Sequence, residues 1–354
     1  MTVRGLSLVA LLTLAGAGLV RTAAATPAAA AACERPRVGF MAPITGKAAF
    51  IGKEQLGFAR HAARALGGRT IRLLEADTQL DPRRAARAAQ LLHRTPNVLA
   101  VVGPAGSQEV LAAAPVFSRS ERLAFVSASA VQSELSNGSI PTFFRVVPSE
   151  RAQAPTIARL IGQRLKARVV AIVDDRSTYS RRLADGVEAR LRAPGITVER
   201  SRADAGRTQF EGAARSVSRA AEVVFLPFHV AATAQLFVQE LRRQGKRPVV
   251  VGSDTLDSRD FTISGAYVAA FAPRTRVPGY ERAGATKFGP AAYLATEVVV
   301  RAIRAACADG AATRREVLER IRATDLEQTV LGSRLRFTRR GDVRGASYAV
   351  LRLP

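Results

Sequence analysis

The sequence predicts an α/β protein made of two Rossmann-like, doubly wound lobes with a ligand cleft between them. Short apolar runs of the buried-strand type alternate with amphipathic helical patterns along most of the 354 residues. This alternation is typical of parallel sheets that are covered by helices on both faces. It breaks near Pro148 and then starts again. Polar residues follow the strands in both halves, at the sheet edge where such folds bind ligands.

The first 32 residues are interpreted as a secretory signal peptide and a lead segment. Arg4 precedes an apolar run over residues 6–20, which has the length of a signal core. Cleavage is expected either after the Ala23–Ala25 run or before Cys33, where a weak lipobox leaves a lipid anchor as the alternative to a free periplasmic protein. No later segment is long and apolar enough to span a bilayer.

Composition excludes several classes of protein. Cys33 and Cys307 are the only cysteines, too few for a disulfide scaffold or a cysteine metal cluster. The sequence leaves open whether they pair, and Cys307 is interpreted as a small buried residue. The net charge of +24 comes mostly from scattered Arg, and Trp is absent. Because no patch of interleaved aromatic and basic residues is present, we predict no nucleic-acid partner.

The first half contains a strand, a glycine turn and a helix start in the sequence VVGPAGS. Ser107 is expected to cap this helix, and the turn would present backbone N–H groups to an anion. The alternative is that the two glycines only make a turn. Asp81 before Pro82 predicts another helix start. Strands are predicted at residues 37–42, 71–76, 98–102, 123–126 and 143–147, and helices at residues 52–66, 81–94 and from 107 onwards.

The second half repeats this alternation. A hairpin turn is predicted at Arg340-Gly341-Asp342 near the end of the chain. Strands are predicted at residues 169–173, 196–199, 223–228, 249–251, 268–271, 335–337 and 348–351. Helices are predicted at residues 151–165, 179–192, 210–219, 231–243, 288–308 and 314–323.

Taken in order, several segments resemble one known family. They are RVGFMAPITGKAAFIG, LLEADTQLDPRRAARAAQLL, VVGPAGS, SASAVQSEL, FFRVVPSERAQAPTIARLI and VVAIVDDRSTYS. They resemble the periplasmic type I solute-binding proteins, above all the leucine/isoleucine/valine-binding protein of ABC importers. The resemblance covers nearly the whole chain after Glu34 and implies three crossings between the lobes. The implied lobes are residues 35–149 plus 275–329 and residues 150–274 plus 330–354, after a signal and lead at 1–32.

The resemblance also implies ligand-binding residues. A Ser at the helix start after the glycine turn binds the amino-acid carboxylate in that family, and an acidic residue after the GS turn holds the ammonium; these are Ser107 and Asp254. Val131 stands at the family's Thr position and His229 at a family Tyr, so a branched-chain amino acid is put in doubt. The full implied set is Phe50, Gly106, Ser107, Ser129, Val131, Tyr179, His229 and Asp254.

The resemblance implies an extracytoplasmic binding protein. It would capture a small carboxylate-bearing ligand, an amino acid or a related compound, by lobe closure and deliver it to the membrane permease of an ABC importer. A monomer without cofactor or metal is expected. Two alternatives stay open, namely a ligand-sensing subunit of a signalling or redox system and a binder of another organic acid. Leu80 and Gly106 stand where the family has a cysteine pair.

An enzyme is disfavoured by missing motifs. The glycine turn lacks the Lys of a phosphate-binding loop, and no GxSxG nucleophile motif is present. His61, His93 and His229 are too far apart to predict a metal site; the first two are expected to be solvated or half-buried on helices. Asp174 and Asp175 are interpreted as a solvated turn, because neighbouring side chains at a strand end point apart.

Overall fold

The computed structural model describes residues 27–46, 48–68, 70–119, 122–204, 209–273, 275–280 and 287–354. The predicted signal core at residues 6–20 lies outside the described residues, as does part of the connection before residue 287. Within the described ranges, no helix has the length and apolar character needed to cross a membrane.

The first lobe is built on a parallel sheet with the order β2-β1-β3-β4-β5. The chain forms β1 first and adds β2 on one side of it, at the edge of the sheet. It then crosses to the other side of β1 to add β3, β4 and β5 in turn. Ligands bind at such a reversal of winding, beyond the carboxyl ends of the strands. The strands are β1 (Arg37–Ala42), β2 (Arg72–Asp77), β3 (Val98–Val102), β4 (Ala124–Ser127) and β5 (Phe143–Arg145).

The second sheet repeats this winding, with the order β13-β10-β9-β8-β6-β7. Its last strand, β13, is antiparallel to β10, and the other pairings are parallel. The prediction of two doubly wound lobes is therefore confirmed. The strands are β6 (Val169–Asp174), β7 (Thr197–Arg202), β8 (Val223–Leu226), β9 (Val249–Gly252), β10 (Tyr267–Ala270) and β13 (Ala349–Arg352). A short antiparallel pair is formed by β11 (Asp325–Leu326) and β12 (Leu335–Arg336).

Helices cover both faces of each sheet. In the first lobe α2 packs with α9 on one face, while α3 packs with α4 on the other. Helix α9 comes late in the chain, and 14 of its 18 residues are buried because it fills the space between α2 and the sheet. The helices are α1 (Pro27–Glu34), α2 (Ala49–Gly67), α3 (Pro82–Arg94), α4 (Ser107–Phe117), α5 (Gln153–Arg159), α6 (Thr178–Arg192), α7 (Glu211–Ser216), α8 (Ala231–Arg243), α9 (Gly289–Ala306) and α10 (Arg314–Arg322).

Local signals explain several helix ends. The carboxylate of Asp81 accepts the N–H of Arg84 at 2.7 Å, so the predicted N-cap of α3 is confirmed. The helix predicted at residues 151–165 is divided into a short 3₁₀ turn, α5 and a π-helical turn at Leu160–Arg164. Residues of the predicted lead segment form helix α1.

The predicted hairpin turn near the end of the chain is confirmed by an antiparallel bridge between Phe337 and Val343. The turn packs against the first lobe, because the N–H of Arg145 donates to Gly341 and its guanidinium pairs with Asp342. Gly341 has φ +81°, and a side chain there would meet the backbone of β5. We therefore propose that the last crossing lies after residue 343 rather than at 330; the other lobe boundaries remain predictions.

A disulfide joins Cys33 on α1 to Cys307 after α9. The interpretation of Cys307 as a buried small residue is wrong, because it is half-buried and covalently paired. Helix α1 is held further by the N–H of Ala312, which donates to Ala29, and by the buried side chain of Ala32. A lipid anchor would need the same sulfur of Cys33, so the disulfide and the anchor exclude each other.

Candidate ligand-binding cleft

A cleft of about 1110 Å³ lies between the carboxyl edges of the two sheets. Ligand sites are concave pockets of a few hundred to about 1,000 Å³, so its size suits a small molecule. Residues from both lobes line it. Six of the residues implied by the resemblance are brought together there: Gly106, Ser107, Val131, Tyr179, His229 and Asp254. Their role in binding remains a prediction.

The wall of the first lobe is formed by the N-terminus of α4. Gly106 is the N-cap, so the assignment of Ser107 as the cap is wrong by one residue. The reason is that Glu109 reaches back and its Oε2 accepts the N–H of Gly106 at 2.7 Å. The hydroxyl of Ser107 accepts the N–H of Gln132 at 3.3 Å. The backbone N–H groups of Ser107 and Gln108 belong to the first helical turn and have no acceptor within the helix.

The position of Gly106 permits this close packing. A Cβ at Gly106 would lie 2.6 Å from Glu109 Oε2 and 2.8 Å from Leu80 Cδ1. Leu80 and Gly106, the positions at which the resemblance implies a cysteine pair, are thus neighbours in space. The N–H of Gly106 is committed to the chain's own carboxylate, so this donor is already occupied at the predicted anion site.

Two predicted contacts do not line the cleft. The hydroxyl of Ser129 donates to the carbonyl of Ala105 at 2.8 Å and accepts from the Gln55 amide at 2.9 Å. Its polar atoms therefore stabilise the loop after β4. Phe50 is 66% exposed and packs edge-on against Phe288, with 6.2 Å between the ring centroids. The structure places both residues outside the cleft lining.

The wall of the second lobe is a hydrogen-bonded group around Asp254. Its Oδ1 accepts the Tyr179 hydroxyl at 2.7 Å and the Gln153 amide at 2.8 Å. Burial, followed by the neighbouring Asp254 carboxylate, raises the pKa of Tyr179 well above its usual value, so the phenol remains a donor. Both of these hydrogen bonds end on Oδ1.

Gln153 is a cleft residue that the sequence analysis missed. It is fully buried. Besides the bond from its side-chain amide to Asp254, its side-chain oxygen Oε1 lies 3.2 Å from the hydroxyl of Tyr179. It begins α5, shortly after the predicted first crossing between the lobes. A lone Gln at a helix start carries no motif, and only a predicted contact with Asp254, 101 residues later, could have found it.

His229 is exposed beside this wall, and its ring packs against Tyr179 in a T-shaped arrangement with 5.8 Å between the ring centroids. Its backbone N–H donates to Asp175 Oδ2 at 2.6 Å. Asp174 is fully buried and pairs with Arg200 at 2.8 Å. The interpretation of Asp174 and Asp175 as a solvated turn is therefore wrong, because both residues are buried and their carboxylates are held by hydrogen bonds from Arg200 and His229.

Asp77 organises the first loop of the other lobe. Its Oδ1 accepts the N–H groups of Ile44, Thr45 and Gln79. Burial alone would raise the pKa of Asp77, but the hydrogen bonds from Thr45, Gln79 and Ile44 together lower it. Asp77 therefore orders this turn, and it does not line the cleft.

Arg182 and Lys287 join the lobes beside the cleft. Arg182 on α6 pairs with Glu134 of the first lobe at 3.3 Å, and both side chains are substantially exposed. Lys287, just before α9, donates to the carbonyl of Asp257 at 2.7 Å and lies over the rings of Phe271 and Phe288. The turn that carries Asp254 is therefore tied to a helix of the first lobe. In the described ranges, no cluster of three His, Cys, Asp or Glu residues is placed to hold a metal ion.

Comparison with known families agrees with this architecture. Residues 36–352 match the family model described as periplasmic binding protein. The chain belongs to that family. The family consists of solute-binding proteins, so the prediction that this periplasmic binding protein is not an enzyme is confirmed.

Two relatives have informative names. The chain is 27% identical over 165 residues to an amino acid binding protein of Pseudomonas aeruginosa, covering 45% of this chain and 44% of that protein. It is 26% identical over 241 residues to the Leu/Ile/Val-binding protein BraC3 of Rhizobium johnstonii, covering 66% and 65%. The alignments thus span less than two thirds of the length of either relative.

Solved structures share the fold at low identity. An ABC transporter substrate-binding protein of Desulfitobacterium hafniense in complex with Leu has a TM-score of 0.75 at 18% identity, covering 91% of this chain and 98% of that chain. A solute-binding protein of Rhodopseudomonas palustris in complex with 3,4-dihydroxybenzoic acid has a TM-score of 0.68 at 15% identity, covering 88% and 91%. At these identities the likeness establishes the fold alone.

Proposed function

We propose that this periplasmic binding protein captures a small carboxylate-bearing ligand, an amino acid or a related compound, and delivers it to the permease of an ABC importer. The supporting observation is the pairing of two unlike walls across one cleft. The first-lobe wall offers the N–H groups at the start of α4, and the second-lobe wall offers the carboxylate of Asp254.

The two walls match the two charges of an amino acid. A helix N-terminus carries a partial positive charge and free N–H groups, which suit a carboxylate. Asp254 Oδ2 would accept from an ammonium, and Tyr179 with Gln153 would hold the carboxylate of Asp254 in place. Hydrogen bonds to charged groups contribute about 1.5–3 kcal/mol each. The names of the amino acid binding protein and BraC3 support the same ligand class.

The cellular setting supports import. The predicted signal segment would direct the chain out of the cytoplasm, and the disulfide between Cys33 and Cys307 would form readily in an oxidising compartment such as the periplasm. Binding proteins of this architecture commonly close by a hinge motion between lobes. We propose that closure over the ligand presents both lobes to the permease.

A second candidate ligand is an organic acid without an amine. Two observations favour it: Val131 adds an apolar group to the cleft, and Asp254 accepts two hydrogen bonds from the protein itself. In this case the Asp254 carboxylate would accept a ligand hydroxyl. The 3,4-dihydroxybenzoic acid in the structure from Rhodopseudomonas palustris is an example of such a compound in a protein of the same fold.

A thermal-shift screen of the mature protein tests the proposal. The panel pairs each amino acid with its 2-hydroxy acid and includes hydroxybenzoic acids. A ligand that binds only the folded state adds about 2.7 kcal/mol at a hundredfold excess over Kd. A compound that stabilises the protein should also reduce its radius of gyration in small-angle scattering. A strain from which the gene of this protein is deleted should take up less of that compound. Failure of all carboxylates to stabilise the protein would contradict the proposed ligand class.

A further inference from the structure

The cleft contains a buried carboxyl group that the proposed function does not use. Glu109 is 1% exposed and lines the cleft at the N-terminus of α4. Its Oε2 accepts the N–H of Gly106, while Oε1 is buried without a well-aligned partner in the described part of the chain. The helix end that is expected to receive a ligand anion therefore already holds an acidic group of the protein.

No basic side chain among the described residues pairs with Glu109. The charged groups that face it from the loop after β2 are Asp77 and Asp81, which are also acidic. Burial is the main cause that raises the pKa of Glu109; the nearby Thr78 hydroxyl and the hydrogen bond from Gly106 oppose it, and the charges of Asp81 and Asp77 add to it. The carboxyl group therefore holds its proton to a higher pH than an ordinary Glu.

We propose that Glu109 is a specificity-determining residue that disfavours a second anion at the start of α4 when it is ionised and admits a ligand carboxylate when it is protonated. This inference rests on the proposed function, because it assigns the ligand carboxylate to the same helix end. A negative charge on the first helical turn repels a carboxylate that binds to the N–H groups of that turn. Ligands with an uncharged acceptor at this position escape the repulsion.

The consequence is a ligand affinity that falls as the pH rises through the pKa of Glu109. Other ionisable side chains also line the cleft, namely His229, Asp254, Glu134, Glu150, Arg182 and Arg190. The wild-type profile therefore sums several groups, and the contribution of Glu109 is the difference between the wild type and a variant that lacks only its charge.

The test compares the wild type with Glu109→Gln. Glutamine keeps a side-chain oxygen that can accept the N–H of Gly106, so the helix cap is preserved. Isothermal titration with L-leucine, its 2-hydroxy acid and 3,4-dihydroxybenzoate is performed from about pH 5 to about pH 8, a range above the ordinary Glu pKa. At the highest pH the variant should bind the carboxylate about tenfold more tightly, and the two affinities should converge towards low pH.

The control is Glu75→Gln, which removes the charge of a partly exposed carboxylate of the same lobe that pairs with Arg60 and does not line the cleft. Its pH profile should follow that of the wild type. If the wild type binds a probe and Glu109→Gln binds it with the same affinity and pH profile, the role of Glu109 is overturned while the proposed function stands. If the wild type binds none of the carboxylates at any pH, the proposed function is overturned and the inference with it.

Discussion

The two walls of the cleft use their polar groups in opposite ways. In the first lobe the polar side chains mostly bind their own loops: Ser129 holds Ala105, and Glu109 holds Gly106. In the second lobe Tyr179 and Gln153 converge on one carboxylate, that of Asp254, and direct it to the cleft. The first wall thus offers backbone N–H groups, and the second wall offers a side-chain acceptor.

This difference separates a rigid wall from a selective wall. Backbone donors at a helix start bind an acid group on any ligand, whatever the rest of the molecule. A single oriented carboxylate distinguishes an amine from its absence, because a buried polar group left without a partner costs free energy. The general affinity for acids is therefore expected from the first lobe, and discrimination among acids from the second.

The largest effect should follow from loosening the first wall. Arg145 is fully buried and donates to Ala130, Gln132, Ser136 and Asp342. Arg145→Met should lower the free energy of unfolding by about 3–5 kcal/mol, because it removes the buried cation that pairs with Asp342 and donates to two carbonyls. Urea unfolding measures this loss.

The control for this prediction is Arg182→Met, which removes an exposed ion pair and should cost less than about 1 kcal/mol. A loss below about 1 kcal/mol for Arg145→Met as well would show that the first wall does not depend on the buried guanidinium. The comparison between a rigid and a selective wall would then lose its basis.

A smaller loss of stability is expected from removal of the disulfide, which lies in the first lobe and does not line the cleft. The double variant Cys33→Ser and Cys307→Ser should lose about 2–4 kcal/mol of unfolding free energy while ligand affinity stays unchanged. Reductant should reproduce the loss in the wild type. Mass mapping that finds a lipid on Cys33, or two free thiols in the native protein, would contradict this assignment.

The smallest effect separates two serines of the first lobe. Ser129→Ala should leave ligand affinity within about twofold and lower the unfolding free energy by about 1 kcal/mol, because its hydroxyl bonds only to Ala105 and Gln55 and does not line the cleft. Ser107→Ala should weaken binding moderately, since the backbone donors remain. Calorimetric titration of both variants checks the order, and a larger loss of affinity in Ser129→Ala would reverse the roles.

The sequence was sufficient for the fold because its periodic signals are local. Buried-strand runs, glycine turns and the Asp81 cap each depend on a few neighbouring residues, and they predict both sheets. The site was predicted in part, since strand ends place Ser107, Tyr179 and Asp254 at one edge. The roles of Ser129 and Gln153 depend on contacts with residues distant in the chain, which a sequence does not reveal. The role of Glu109 depends on the start of α4, which lies one residue away from the predicted cap.

The buried pair Asp174 and Asp175 shows the same limit. Two adjacent carboxylates after a strand resemble a solvated turn until their partners are known. Arg200 lies on the neighbouring strand β7, and the His229 N–H comes from the end of β8. Pairings across strands carry no periodic signal, so a single sequence does not reveal them.

The central claim is that Asp254 selects for an amine or hydroxyl while the first lobe binds the acid. Calorimetric titration of the wild type and Asp254→Asn with an amino acid found in the screen, and with the deaminated acid of the same carbon skeleton, tests it most directly. Asparagine retains an oxygen for Tyr179 and Gln153. The amino acid should bind Asp254→Asn about 30-fold or more weakly, because an ammonium loses its charged partner, and the deaminated acid should bind both proteins alike. Undiminished affinity of Asp254→Asn for the amino acid would contradict the account.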